Sequence, residues 1–447
     1  MTTRSFLSLA VVGLFAGACG KTTVPPVLDA STDVVLPGDN PTVTDTAPVD
    51  AGADVVDAGS VRPDVPPADV PPGAAWCDLT AEPVPNGVTV PEGFCIRRFA
   101  RLTAARVIAF APNGEMFVTS PGYSTPGGSP VGRGAIVRLT DTNLDGVADT
   151  TDPAQTNFLA DLTYIHGILF TENELLYTID NGVYAIPYQV GDTTARTPRS
   201  MHRQVADLRD SMRPSHTLAR ATDGSLYVSM GQYDISQCPA PAPRQGAVLR
   251  IGQGMPLTGE TYTAGFRNPM WLRCKEWGAC YGAELTGDGW DAIGGREKLV
   301  ELRRGDDYGY PCCVDRGAPV PGVGTQQRCA NVAASVQTYT LHDTPFGFDW
   351  APTSWPGEYS GAFFVGLHGW VGSWTNAGVQ WAPTDPTTHR PTRDTVPFVQ
   401  GFGHRAPNLE GRVSELIFAP DGRMFITDDQ DGAIYWIAPR TLRMPAR

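Results

Sequence analysis

The sequence of 447 residues lacks a long uninterrupted apolar run. The run from Phe6 to Ala18 follows a single arginine and would form only about 20 Å of helix. Because that length is too short to span a bilayer, it predicts a signal peptide instead of a transmembrane helix. The segment "AGAC" that ends at Cys19 resembles a bacterial lipobox, although an ordinary signal peptide with an incidental cysteine is the alternative. We therefore expect export and a lipid anchor on Cys19 in the outer membrane, on its periplasmic or cell-surface side.

Positive charge is also scarce. There are 34 Lys and Arg residues against 47 Asp and Glu residues, which gives a net charge of −13. Nucleic-acid binding needs clustered positive charge, so no nucleic-acid partner is expected. The sequence has no G-x-S-x-G, no H-E-x-x-H, no P-loop and no dinucleotide-binding glycine fingerprint. Nicotinamide, phosphoryl and zinc chemistry are therefore unsupported.

The segment between the signal peptide and Trp76 lacks aromatic residues altogether. From Lys21 to Ala75 it carries nine Asp and only two basic residues, and it is rich in Pro, Val, Ala and Thr. Such a composition buries too little apolar surface to fold and predicts an extended, self-repelling linker. The expected organisation is a lipoprotein-type signal peptide (1–19), a disordered linker (20–75) and one folded domain (76–447).

Cysteine is infrequent, and eight residues remain once Cys19 is set aside. An even number in an exported chain predicts disulfides. Spacing favours the pairs Cys77–Cys95 and Cys274–Cys280. The others are expected to pair as Cys238 with Cys313 and Cys312 with Cys329, although the sequence alone does not fix connectivity, and a vicinal Cys312–Cys313 bridge is the less favoured choice.

Glycine and proline, by contrast, are abundant, with 49 and 40 residues, and no strong helical pattern is present. One unit recurs six times: a short apolar strand, a polar turn and an alternating strand. Four clear copies and two degenerate ones begin at Val107, Gly167, Thr217 and Leu416, and at Trp271 and Phe346. Asn-Gly and Asp-Gly in these copies favour two-residue turns with positive φ at both positions. A further strand follows each copy, at spacings of about 50–75 residues, the range of propeller blades with insertions.

These units predict an all-β fold, a six-bladed β-propeller. The strand "FCIRRFA" (94–100) is expected to close the ring by pairing with "GAIYWIAP" (432–439). A β-sandwich with long loops is the alternative, but six copies of one unit favour the propeller. When the copies are aligned on their turns, Arg106, His166 and His216 share the position just before the innermost strand. In a propeller that position lies near the mouth of the central channel.

Two acidic loops are candidates for a metal site. In "DTNLDGVAD" the first, third, fifth and ninth positions of a Ca²⁺ loop hold oxygen ligands, at Asp141, Asn143, Asp145 and Asp149. In "ELTGDGWDAIGG" three carboxylates stand among glycines, at Glu284, Asp288 and Asp291. Hard oxygen ligands on flexible loops suit Ca²⁺. The alternatives are a loop built from Asx turns in the first segment and a solvated loop in the second.

Basic and aromatic residues form the other candidate site. Arg267 and Asn268 lie in "AGFRNPMWL", where an arginine serves as a planar donor and an asparagine as donor and acceptor. A turn with a salt bridge is the simpler interpretation. Arg412 precedes the last innermost strand, again at the channel mouth. One segment also brings together a histidine and two aromatic residues, at His368, Trp370 and Trp374.

In their order, these segments resemble the glucose/sorbosone dehydrogenase family, the six-bladed quinoproteins that use pyrroloquinoline quinone (PQQ). The segment "FRNPMWL" is similar to the family's "RNP-x-G-L", and "GDDYGYPCC" to its "G-x-x-YG-[WF]-P-x-C". The loop "DTNLDGVAD" is similar to the Asp-rich loop of sorbosone-type members. "SHTLARATDGSLYVSMG" and "GRVSELIFAPDGRMFITDD" resemble its strand motifs. The resemblance covers roughly residues 91–439.

The resemblance implies an oxidoreductase that acts on CH–OH groups of a sugar, a sugar aldehyde or a related alcohol. It implies PQQ and Ca²⁺ as cofactors, with Ca²⁺ as a Lewis acid, and an external electron acceptor. A histidine takes the proton of the substrate hydroxyl, and His216 is the candidate. Arg267 would stabilise negative charge on the quinone oxygen, Asn268 would contact PQQ, and Arg412 would hold one of its carboxylates.

The sequence departs from the family pattern at three positions. Arg213 stands where many members have the catalytic histidine, and His216 lies three residues later. A second carboxylate-binding arginine would fall at Ser414, and a lysine near Asn376. The missing histidine at position 213 and the missing second arginine favour an alternative, a catalytically silent propeller that binds glycans or a surface protein. A propeller lactonase or hydrolase is a third reading, but it needs converging Glu, Asn and Asp side chains that the repeat positions do not supply.

Overall fold

The computed structural model describes residues 73–79, 84, 87–122, 133–240, 242, 244–369, 376–403 and 411–445. The predicted signal peptide with Cys19, most of the predicted linker, and Trp370 and Trp374 lie outside these residues. Within them, the strands form six four-stranded antiparallel sheets and one two-stranded sheet. The first strands of successive sheets contact one another around a central axis. The predicted all-β fold, a six-bladed β-propeller, is confirmed.

The strands follow the blades in chain order. The first strand of the chain is β1 (Phe94–Arg101). Blade 1 consists of β2 (Ile108–Phe110), β3 (Met116–Ser120), β4 (Gly134–Leu139) and β5 (Asn157–Leu162). Blade 2 consists of β6 (Ile168–Phe170), β7 (Glu174–Ile179), β8 (Gly182–Pro187) and β9 (Arg203–Asp207). Blade 3 consists of β10 (Leu218–Arg220), β11 (Leu226–Met230), β12 (Ala247–Ile251) and β13 (Glu260–Ala264).

The remaining blades include one insertion. Blade 4 consists of β14 (Asn268–Cys274), β15 (Cys280–Leu285), β16 (Arg296–Glu301) and β19 (Gln337–Thr340), and its insertion carries β17 (Cys313–Asp315) and β18 (Ala318–Pro319). Blade 5 consists of β20 (Pro345–Trp350), β21 (Phe363–Leu367), β22 (Gly378–Ala382) and β23 (Val396–Val399). Blade 6 consists of β24 (Val413–Phe418), β25 (Met424–Asp428), β26 (Ala433–Pro439) and β1.

The described helices are short. They are α1 (Pro153–Thr156), α2 (Gln326–Cys329) and four 3₁₀ turns at Trp76–Asp78, Arg199–Met201, Asp291–Ile293 and Gly357–Tyr359. None of the helices in the described ranges has the length and apolar character needed to cross a membrane.

The ring closes through the N-terminal strand. β1 pairs antiparallel with β26, from Phe94 opposite Pro439 to Arg101 opposite Ala433. Blade 6 therefore combines three strands from the end of the chain with one from its beginning, as the sequence predicts. This pairing joins the two ends of the propeller and supplies blade 6 with its fourth, outermost strand.

The hairpin turns differ in type from the expected two-residue turns. At Asn113-Gly114 the amide of Gly114 donates to the carbonyl of Ala111 at 2.8 Å, and only the glycine has positive φ, at 85°. The pattern recurs in blades 3 and 6, where Gly224 and Gly422 have φ of 82° and 89°. Each turn is thus a type I turn followed by a left-handed glycine, a three-residue hairpin loop that needs positive φ at one position only.

Four disulfides join the eight cysteines of the described chain. Cys77–Cys95 and Cys274–Cys280 form as predicted. The other two predicted pairs were wrong, because Cys238 bonds Cys312 and Cys313 bonds Cys329. Adjacent residues in extended chain project to opposite sides. Cys313 begins β17 and turns toward α2, which ends at Cys329, and this leaves Cys312 to face the loop that carries Cys238.

Removal of the Cys77–Cys95 disulfide by a double alanine substitution is expected to lower the free energy of unfolding by roughly 3 kcal/mol. The bond closes a loop with a sequence separation of 18 residues, and the denatured chain gains the corresponding entropy when it is lost. Urea denaturation of oxidised protein measures the loss. The matched control removes Cys274–Cys280, which closes a separation of only 6 residues. A larger loss for that shorter loop would contradict the prediction.

Candidate functional site

A buried hydroxyl group fixes the start of the innermost strand in four blades. Each accepts a hydrogen bond, at 2.7–3.0 Å, from a backbone N–H of its own blade; the pairs are Thr119 with Val107, Thr178 with Gly167, Ser229 with Thr217, and Thr427 with Glu415. These bonds place Arg106, His166 and His216 at equivalent positions, which confirms the alignment made from the sequence.

Two of these hydroxyls also bond to the next blade. Thr178 donates to the carbonyl of His216 at 2.8 Å, and Thr427 donates to the carbonyl of Arg106 at 2.9 Å. The innermost strands run away from this end of the channel, so these residues all lie at one mouth. The backbone of the mouth is therefore fixed by bonds within and between blades.

The mouth of blades 1 and 6 contains a buried cluster of charged residues around Asp429. The carboxylate of Asp429 is 2.6 Å from Nε of Arg106 and 2.6 Å from Nε of Arg412. Nε2 of His368 lies 3.4 Å from it. Burial acts to raise the pKa of Asp429, but Arg106 and Arg412 outweigh it and hold that pKa well below its usual value. Burial, with help from Arg412, lowers the pKa of His368 to about 3, so this ring is neutral at pH 7.

This cluster changes one expectation from the sequence. Ser414 is fully buried and bears no guanidinium, so the second arginine that the family pattern expects there is indeed missing. Arg106 comes from blade 1 instead and stands beside Arg412 on the same carboxylate. Two guanidinium groups thus lie side by side at the mouth, and such a pair of planar donors is suited to binding carboxylates.

His216 has the hydrogen bonding of a neutral base. Its Nδ1 lies 2.8 Å from the carbonyl oxygen of Ser229. A carbonyl oxygen only accepts, so Nδ1 carries the proton and Nε2 is left with a lone pair. Nε2 makes no hydrogen bond of good geometry to the described residues, although the Asp180 backbone is near enough to act toward a higher pKa. Burial outweighs this and lowers the pKa of His216 to about 4; the side chain is wholly enclosed.

A row of rings crosses the channel from blade 2 to blade 5. His166 packs edge-on against Trp271 at 5.2 Å between ring centres. Trp271 stacks on Phe346 at 4.7 Å, and Phe346 stacks on His368 at 4.3 Å. All four side chains are buried, and burial lowers the pKa of His166 to about 3. The row links the two histidines across the mouth through neutral, planar groups.

Arg267 is completely buried and held from several sides. Its Nε is 2.8 Å from Oδ1 of Asp234, and its Nη2 is 2.5 Å from Oδ2 of Asp288. Its backbone N–H donates to Oε1 of Glu284 at 3.0 Å, and its carbonyl accepts from the amide of Gln232 at 2.7 Å. The guanidinium is thus fixed in place at the mouth of blade 4, and its charge is balanced by two carboxylates.

Asn268 follows Arg267 and lies against blade 3. Its Oδ1 is buried and has no hydrogen-bond partner among the described residues. A Cβ on Gly231 would come within 2.4 Å of that oxygen and 2.7 Å of Cγ of Arg213. Gly231 is therefore required for the close approach of Asn268 and Arg213. The structure brings both residues to the same side of the mouth as His216.

The three carboxylates of the second acidic loop separate from one another. Besides accepting from Arg267, Glu284 lies 3.9 Å from Nζ of Lys298. Asp288 pairs with Arg267, and Asp291 lies 3.2 Å from Nε2 of His342. Each carboxylate has a basic partner from the protein. Across the described ranges, no group of three or more His, Cys, Asp or Glu residues is arranged to hold a metal ion.

The first acidic loop lies at the other end of the propeller. β4 runs in the same direction as β2, away from the mouth, so the loop after Leu139 is on the opposite face. Asp141 and Asn143 accept from the amide of Asp145 at 3.0 and 3.1 Å. Asp149 instead accepts from Thr140 and Thr142. Asp141, Asn143 and Asp145 therefore meet in Asx-type turns, while Asp149 bonds elsewhere.

Sequence reasoning did not single out Asp429 or the buried hydroxyls. The signal was present, because Thr or Ser recurs near the end of the second strand in "FVTS", "LYTI", "YVSM" and "FITD". The last of these ends at Asp428, and Asp429 follows it. Small hydroxyl residues at one repeat position indicate a shared buried bond, but the partners in neighbouring blades are visible only in the folded ring.

The comparisons with known proteins agree with this fold. Residues 85–298 match a family model described as a domain of unknown function, DUF7133. No curated protein matches the chain. Solved structures do: the holo form of the pyranose dehydrogenase PQQ domain from Coprinopsis cinerea is 16% identical, with a TM-score of 0.63, over 80% of this chain and 99% of that one.

Two further solved structures are similar. The calcium structure of a Trichoderma reesei protein of carbohydrate-active enzyme family AA12 is 17% identical, with a TM-score of 0.62, over 79% of this chain and 97% of that one. The soluble aldose sugar dehydrogenase of Escherichia coli, in its apo form, is 14% identical, with a TM-score of 0.52, over 77% and 99%. At these identities the similarity establishes a shared fold. The chain thus has the fold of solved sugar dehydrogenases, as the motifs of the sequence predict.

Proposed function

We propose that this chain is a PQQ-dependent oxidoreductase that oxidises a sugar, a sugar aldehyde or a related alcohol at the channel mouth. The observation that carries the proposal is the meeting of Arg106 and Arg412 on the single carboxylate of Asp429. This cluster places two guanidinium groups side by side near the repeat positions Arg106, His166 and His216. Similarity to sugar dehydrogenases that act on small sugars supports the substrate class.

The residues present fit an anionic, planar group. Arg106 and Arg412 would hold its carboxylates, since planar guanidinium groups bind carboxylates through paired hydrogen bonds. The partnerless Oδ1 of Asn268 is a buried acceptor that a bound polar group would satisfy. When bound, PQQ supplies a two-electron acceptor for the hydride of the substrate.

The chain's own residues would handle the proton and the charge. His216, neutral and protonated on Nδ1, would accept the proton of the substrate hydroxyl on Nε2. Arg267 would contribute a hydrogen-bond donor whose orientation is fixed by Asp234 and Asp288.

Calcium enters the proposal as a second component. The pairing of Glu284, Asp288 and Asp291 with Lys298, Arg267 and His342 does not fit a cation site as it stands, so no step is assigned to the ion. Addition of Ca²⁺ during reconstitution tests whether PQQ binding requires it.

Export and a lipid anchor on Cys19 remain part of the proposal, together with an external electron acceptor.

PQQ binding tests the proposal directly. Purified protein mixed with PQQ and Ca²⁺ is expected to show a spectral shift, a raised melting temperature and reduction of a dye by an aldose. Arg412→Ala is expected to weaken PQQ binding on the order of tenfold to a hundredfold, because one charge-assisted pair is lost. Asp429 keeps Arg106 as a partner in this variant, so the fold is retained.

The control for the Arg412 substitution is Arg203→Ala. Arg203 forms an exposed pair with Glu174 on the opposite face of the propeller, so its loss leaves PQQ affinity unchanged. Absence of any spectral or thermal response to PQQ in the unsubstituted protein would refute the proposal. That result would favour the alternative, a propeller that binds glycans or a surface protein without catalysis.

A further inference from the structure

The segment after β11 brings an exposed aromatic ring to the channel mouth. β11 runs toward the mouth, so Tyr233 lies at its rim, and 38% of its surface is exposed. The guanidinium carbon of Arg213 lies 4.3 Å from the ring centre and covers one face. A tyrosine held by a cation on one side and open to solvent elsewhere is a platform for an apolar surface of a ligand.

The next residue provides a fixed and accessible carboxylate. The side chain of Asp234 is 49% exposed, although its Oδ1 is 2.8 Å from Nε of Arg267. The hydroxyl of Tyr310 donates to the same oxygen at 3.2 Å. Tyr310 is buried and accepts in turn from the amide of Ile235 at 3.0 Å. The carboxylate is therefore immobilised on its inner side and open on its outer side, which is the arrangement of a preorganised acceptor.

A disulfide holds this segment against the blade 4 insertion. Cys238 bonds Cys312, which lies two residues after Tyr310. The covalent link and the hydrogen bonds of Tyr310 thus connect the same two pieces of chain. Tyr233 and Asp234 consequently keep their positions relative to Arg267 without a bound ligand.

We propose that Tyr233 and Asp234 form the recognition subsite for a neutral pyranose, and this inference rests on the proposed function of the mouth. The C–H face of the sugar ring packs on Tyr233, and neighbouring hydroxyl groups donate to the carboxylate of Asp234. A uronic acid carries a negative charge that Asp234 repels. The subsite therefore selects neutral aldoses over their acidic counterparts.

The test measures sugar binding to the full chain without PQQ, by saturation-transfer NMR with D-glucose as the probe. Tyr233→Ala is expected to weaken D-glucose binding roughly fivefold to tenfold, whereas Tyr233→Phe, which keeps the ring, retains it. Asp234→Asn is expected to reduce the ratio of the affinity for D-glucose to the affinity for D-glucuronate by a factor on the order of ten. The control is Leu257→Ala, an exposed apolar residue on the opposite face, which leaves binding unchanged.

The outcomes separate this inference from the function of the mouth. Equal D-glucose affinity in Tyr233→Ala and unsubstituted protein overturns the subsite, and so does a lack of binding at roughly 100 mM sugar, a concentration far above ordinary substrate affinities. If PQQ supports turnover and Tyr233→Ala leaves KM unchanged, the subsite fails while the proposed function stands. If D-glucose binding depends on Tyr233 but PQQ does not bind, the subsite stands and the oxidoreductase proposal fails.

Discussion

Replacement of Asp429 by alanine is expected to lower the free energy of unfolding by about 3–5 kcal/mol, because it removes a buried carboxylate to which two guanidinium groups bond. The side chains of Arg106 and Arg412 are only 12% and 7% exposed, and both bond to the same carboxylate. Once the carboxylate is removed, neither guanidinium regains full hydration in the folded state. Urea denaturation at pH 7 measures the loss.

The control for the Asp429 substitution removes one partner of a solvent-exposed ion pair. Glu174→Ala removes the partner of Arg203, whose side chain is 58% exposed, and is expected to cost at most about 1 kcal/mol. Similar losses for the two substitutions would contradict the role of Asp429 as the centre of the buried cluster.

Acid titration gives a second test of the same cluster. The pKa of Asp429 lies well below its ordinary value of 3.8, so the carboxylate stabilises the fold wherever the unfolded chain is ionised. The stability difference between the unsubstituted protein and Asp429→Asn should be constant above about pH 5. It should shrink as the pH falls below 3.8 and toward the pKa of the folded state. A difference that grows on acidification would contradict this assignment.

Replacement of His216 by alanine is expected to reduce turnover on the order of a hundredfold to ten-thousandfold, the usual contribution of a general base. The variant must still bind PQQ for the comparison to hold, and the spectral shift verifies this. His202→Ala is the matched control, because His202 bonds Tyr177 at 2.7 Å on the opposite face. That control is expected to retain its turnover.

The pH profile distinguishes a base from a packing residue. Burial lowers the pKa of His216 to about 4, so the neutral base is present throughout neutral pH. The acid limb of kcat/KM should therefore fall near pH 4 and vanish in His216→Ala. The ring is wholly enclosed in this structure, so turnover within about threefold of the unsubstituted protein would assign it a structural role only, given the size of a base's usual contribution.

The parts of the fold that depend on local sequence patterns could be predicted from the sequence, whereas turn type and cysteine pairing could not. The hairpins, the six units and the closing strand are local patterns of alternating apolar residues and turn glycines, and they were predicted correctly. The turn type was not, because Asn-Gly fits both a primed two-residue turn and a type I turn followed by a left-handed glycine. The predicted disulfide partners of Cys312 and Cys313 were wrong for a similar reason. The side chains of these neighbouring cysteines point in different directions, and the spacing along the sequence does not show this.

The candidate site was predicted in part. Arg106, His166 and His216 were expected at one mouth because the repeat aligns them, and the ring places them there. Arg412 was expected there because it precedes the last innermost strand, whereas Arg267 was singled out by the resemblance. The partners of these residues were not foreseen. Asp234 and Asp288 reach Arg267 from two different loops.

By itself the sequence determined the all-β class, the number of blades and the position of the mouth, because each depends on the spacing of the strand unit that repeats along the sequence. Only the tertiary structure decided which charges meet. Asp429 stands 323 residues after Arg106, yet it binds Arg106 and Arg412 together. Closure of the ring brings the last blade against the first, and side chains that share no sequence neighbourhood then become the nearest partners in a buried, low-dielectric mouth where each charge requires one.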